Sequence, residues 1–165
     1  MSDLPEITGS VAITLAAVTS VPPSNGQSLV LTARQLWHGA QVLAESKIAT
    51  PLPGSLLVAQ ALEGALKALL WTTGRVASEL KSPLGHDLEA LWSAAAQSGF
   101  AISKLPPAWC VCLNSLHAPP FHGRYPRGLN GFATPNAEQA VSDVDKVLAI
   151  AEDAVKNAPW REPGA

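Results

Sequence analysis

The stretch LLVAQALEGALKALLW at residues 56–71 constrains this chain more than any other. Its alanines and leucines are strong helix formers, and the apolar residues fall on nearly every face of the helix they predict. A helix without a polar stripe cannot lie on a surface, so it has to be surrounded by other elements. The rest of the chain must therefore supply a shell of helices around a central one. Only Glu63 and Lys67 carry charge within it, one turn apart and with the Glu nearer the N-terminus, the order that favours a pair along a helix face.

The shell is legible on both sides of that run. From Ser28 onward Leu29, Leu36, Ala40 and Leu43 share a face, predicting a first helix with Arg34, Gln41 and Glu45 off the face. Pro51, Pro53 and Gly54 then break the chain, and Ser55 precedes the central helix. Ser82 and Pro83 offer a cap and first-turn proline for a third helix with Leu84, Leu88, Leu91, Trp92 and Ala95 inward, ended by Gly99. Pro106 and Pro107 open a fourth, carrying Leu105, Trp109, Leu113 and Leu116 as far as Pro119. Thr134 and Pro135 open a last helix with Val141, Val144, Leu148, Ala151 and Val155 inward and Asp143, Asp145, Lys146 and Asp153 outward. The expectation is an all-α, antiparallel bundle of about five helices over residues 28–157. Residues 1–27 read as an extended or β-like arm, because Val11, Ile13 and Leu15 alternate with small or polar residues, and residues 158–165 form a tail.

At 165 residues the chain fits one domain and one core. Charged residues make up 15% of it, against about 25% in a typical soluble domain, which points to a surface partly covered by a second copy. A net charge of -2 and a pI near 6.0 argue against gripping duplex DNA, which needs a basic stripe. The apolar stretch from Val11 to Val21 is shorter than the ~20 residues a membrane span needs, and Asp3 and Glu6 before it do not suit a secretory signal. A cytoplasmic protein is expected.

The runs LLVAQALEGALKALL at 56–70 and GHDLEALW at 85–92, with RYP at 124–126, resemble the HEPN family (higher eukaryote and prokaryote nucleotide-binding) over roughly residues 28–157. The resemblance implies a helical bundle that dimerises. Family members include RNA-cleaving toxins, partners of minimal nucleotidyltransferases, and inactive binding modules. The ribonucleases carry an Arg, a polar residue and, a few positions on, a His; here Arg124 is followed by Tyr125 and Pro126, and no His occurs after His122. The expected function is therefore a binding module for a nucleotide, RNA or protein partner, a nucleotidyltransferase among the candidates. The alternatives are a metal-independent endoribonuclease, in which Arg124 holds the phosphate and His117 or His122 moves the proton, and a purely structural oligomerising bundle.

Three groups of residues are candidates for ligand contact. Glu63 and Lys67 form either a mutually satisfied pair or part of a polar pocket. His86 and Asp87 stand at the start of the third helix, where free backbone donors suit an acidic cap or an incoming phosphate. The connection HAPPFHGRYPRGLNGFA at 117–133 gathers His117, His122, Arg124, Tyr125 and Arg127, equipment for holding a phosphate and stacking a base. Cys110 and Cys112 with His117 and His122 invite a zinc reading, but residues two apart on a helix diverge and there is no separate Cys-x-x-Cys pair. Neither metal nor cofactor is expected.

Overall fold

The structure, a computed structural model, describes residues 24–46, 50–125, 128 and 130–159. These residues fold into helices alone: α1 (Asn25–Glu45), α2 (Pro51–Thr72), the single-turn α3 (Ala77–Lys81), α4 (Leu88–Gln97), α5 (Ala108–His117) and α6 (Ala137–Asn157). The five longer ones correspond to the five expected. The segment expected as an arm or strand, apart from its last residues, lies outside the described residues.

The central helix is α2. Leu62, Leu66, Leu69 and Leu70 are fully enclosed, and α2 touches each of the other five helices. Helices α1 and α6 cover one side of it, while α4 and α5 cover the other. On α6 the predicted inward residues Val141, Val144, Leu148, Ala151 and Val155 are all buried. Trp37 Nε1 donates to the Val141 carbonyl at 2.8 Å, and Arg34 reaches Asp145 at 2.5 Å and Glu152 at 2.8 Å. Arg34 thus lies off the apolar face yet clamps α1 to α6.

The helix starts differ from those expected, each for a local reason. Helix α1 begins at Asn25, inside the expected arm, because Ser24 and Gln27 form a reciprocal capping box. Helix α2 begins at Pro51; prolines in a first turn cost little, since the amides there have no helical partner. Ser82 and Pro83 do not cap α4. That helix starts at Leu88, where the Asp87 carboxylate accepts from the amides of Glu89 and Ala90 at 3.0 Å. Asn136, not Thr134, caps α6. Leu105, expected on the apolar face of the fourth helix, is 78% exposed, because it precedes the helix.

Candidate functional site

Glu63 sits midway along α2, 8% exposed among leucines and alanines. A carboxylate there must be paired or neutralised. Three elements supply its partners. Lys67, one turn on, donates to Oε1 at 2.6 Å. His86, in the turn before α4, meets Oε2 through Nδ1 at 2.9 Å, and His117, the last residue of α5, meets the same oxygen through Nε2 at 2.5 Å. Burial is the largest single influence on the Glu63 carboxyl and opposes its ionisation. The hydrogen bonds from His117, Lys67 and His86 outweigh burial together and hold the group down at about 2.

An ionised carboxylate only accepts, so both facing ring nitrogens carry protons. His86 is then left with its lone pair on Nε2, on a side chain 42% exposed. His117 is left with Nδ1 buried and without a partner.

The backbone around these rings is shaped to deliver them. Gly85 adopts φ +52°, a left-handed conformation that lets the chain turn from Leu84 into His86. After α5 the chain doubles back at Ala118–Gly123, with the Gly123 amide on the Leu116 carbonyl at 2.9 Å. A side chain at Gly123 would come within 2.7 Å of Leu56 and 3.0 Å of that carbonyl. The turn brings the Phe121 ring edge-on to His86 at 5.5 Å, while His86 and His117 meet edge-on at 5.8 Å. His86 is therefore held in orientation by a carboxylate and two rings.

A cleft of about 660 Å³ opens beside this network, between α1, α2 and α3. Leu29, Ala33, Leu36, Trp71 and Leu80 give it apolar walls; Gln60, Glu63, Lys67, Lys81 and His86 give it polar ones.

The nine predicted site residues are thus divided. Glu63, Lys67, His86 and His117 converge. Asp87 adjoins them but caps α4. His117 is the last residue of α5 rather than part of the 117–133 connection and is 1% exposed. Its attachment to Glu63 draws the helix end inward. Arg124 and Tyr125 are exposed, the Arg124 guanidinium 5.8 Å from the Phe121 ring on the way out from His86. His122 keeps a buried Nδ1 without a partner and lies outside the Glu63 cluster. Arg127 falls outside the described residues.

The cysteines are not grouped with His117 either. Burial, with Glu89 and Asp87 adding to it, pushes the Cys110 thiol up to about 12, and Cys112 points at the Ala133 carbonyl. Sequence reasoning missed Asn114, which accepts from the Leu88 amide at 2.8 Å and donates to Asp87 and Glu89. Its signal was available: it is a lone amide three residues before His117 on an apolar helix. Comparison of the chain with family models, curated proteins and solved structures finds no match.

Proposed function

We propose that the chain is a HEPN-like binding module that dimerises and receives a nucleotide in the cleft between α1, α2 and α3. The observation that carries this reading is the placing of a buried polar network in the wall of a largely apolar cleft whose volume suits a small ligand. Trp71, Leu29 and Leu36 offer a base its apolar surroundings, and Lys81 offers the phosphate a donor. Dimerisation is supported by the outer face of α1. Leu31 and Val42, 61% and 67% exposed, stand in line with Gln35 and His38 at spacings of four, three and four, a stripe without Lys, Arg, Asp or Glu of the type that pairs with a copy of itself. The test is thermal denaturation and calorimetry with a panel of mono- and dinucleotides. Binding should raise the melting temperature of the wild type and leave Thr32→Trp, which fills the cleft without touching the network, unmoved. No shift with any nucleotide would sink the reading.

A second reading is metal-independent RNA cleavage, favoured by the way Glu63 orients His86. With Nδ1 engaged, Nε2 is the free basic nitrogen, the arrangement of a general base held by a carboxylate. His117 is too deeply buried to touch RNA, so this reading gives the proton-transfer role to His86, with Arg124 beyond Phe121 as the phosphate contact. Incubating labelled single-stranded RNA with the protein in excess EDTA decides it. Cleavage lost in both His86→Ala and Arg124→Ala supports it, and intact RNA at high protein concentration refutes it.

A further inference from the structure

We propose that Glu63, His86 and His117 form a binding site for one divalent transition-metal ion of the zinc type. Glu63 Oε2, His86 Nδ1 and His117 Nε2 all lie within 4.8 Å of one another, and they come from α2, the turn before α4, and the end of α5. No local sequence motif brings them together, so the site is made by the tertiary fold and is in place before any ion arrives. Two imidazoles and one carboxylate are the ligand set of zinc centres that keep an open coordination position. Here the open position faces the cleft, because Glu63 and His86 line it while His117 closes the inner side.

Geometry and charge both bear on the fit. Zinc sits about 2.0–2.2 Å from nitrogen and oxygen ligands, which in a tetrahedron places neighbouring ligand atoms about 3.3 Å apart. Oε2 now stands 2.9 Å and 2.5 Å from the two nitrogens and no two of the three atoms are more than 4.8 Å apart, so side-chain shifts on the order of 1 Å bring the set to that spacing. Glu63 is already ionised and releases no proton. A metal-bound imidazole carries its proton on the nitrogen opposite the metal, which on His86, 42% exposed, is Nε2. On His117 it is Nδ1, which has no partner whichever nitrogen carries the proton.

Lys67 stays on Oε1 and opposes the ion by charge, so the site is weaker than a structural zinc centre and suits reversible occupancy. Nitrogen ligands select zinc, cobalt, nickel or copper over magnesium and calcium, which want oxygen. This inference goes beyond nucleotide binding and stands or falls separately from it.

The experiment uses the full chain without a polyhistidine tag, stripped with EDTA and dialysed. Zn²⁺ is titrated in competition with a chromophoric chelator, and Co²⁺ is titrated with visible absorption as the readout. The expected result is one equivalent bound, with the d–d bands of a four-coordinate cobalt site. His86→Ala, at a half-exposed position, should weaken binding at least tenfold and abolish the bands while keeping the wild-type circular dichroism spectrum. Cys112→Ser and His122→Ala should bind like the wild type. Wild-type binding no tighter than that of His86→Ala, or binding lost in Cys112→Ser or His122→Ala instead, would overturn the proposal.

Discussion

Replacing Glu63 by alanine strips the central helix of its one acceptor for three donors at once. Lys67 is left with a side chain 14% exposed and no counter-charge, and the His117 ring, with no exposed surface, is left with an unpaired N–H. Breaking a buried pair by removing one partner costs about 3–5 kcal/mol. An independent route gives a similar figure: lowering the carboxyl from 4.5 to about 2 corresponds to about 3 kcal/mol. For a chain of this size that loss lowers the melting temperature by about 6–20 °C.

Because the folded value lies below 4.5, the folded chain resists protonation of Glu63. The contribution is complete above pH 4.5 and drains away as the pH falls from there to about 2. Urea unfolding of wild type and Glu63→Ala, in EDTA, should therefore show a gap of about 3–5 kcal/mol at pH 7 that narrows below pH 4.5, with equal dependence on denaturant. A gap under about 1 kcal/mol at pH 7 in a variant with a native circular dichroism spectrum would mean that water satisfies Lys67 and His117, and the argument from burial would fail.

Three further outcomes follow from the packing. Asn114→Leu leaves the buried Leu88 amide without an acceptor and should cost about 2–3 kcal/mol by urea unfolding. Gly123→Ala forces a methyl against Leu56 and the Leu116 carbonyl and should cost about 1–3 kcal/mol, whereas Gly131→Ala, with nothing within 4 Å, should change stability by less than about 0.5 kcal/mol. Iodoacetamide at pH 8 should label Cys112 and spare Cys110, whose thiol is buried and pushed up to about 12, as mass spectrometry of the native protein would read.

The parts of the fold that the sequence made legible are those governed by periodicity. The apolar surround of residues 56–71 requires a central helix, and the spacing of Val141, Val144, Leu148 and Ala151 marks the face that covers it. Helix starts were less legible because several residues at each could serve. Ser82 has the chemistry of a cap, but Asp87 has the position, and only the packing of Leu88 chooses between them. At the site, Glu63 and Lys67 announce themselves as lone charges in an apolar helix. The joining of His86 and His117 to Glu63 does not, since separations of 23 and 54 residues are closed only by the stacking of α4 and α5 on α2. His117 reads as part of the loop because a proline-rich run begins just after it, although it is the last residue of the predicted fourth helix.

The clamp between Arg34 and the pair Asp145 and Glu152 has a consequence for how the molecule is made. The helix that closes one side of α2 is also the last of the bundle to leave the ribosome. Roughly 85 residues separate the end of α2 from the end of α6, and at synthesis rates of about 5–20 residues per second the nascent chain waits about 4–17 s between them. Until α6 is made, Arg34 lacks both carboxylates, and the side of α2 destined for Val144, Leu148 and Ala151 is without that helix. The half-finished bundle thus offers a holding chaperone a greasy surface beside an unneutralised cation, and completion of α6 removes both features together.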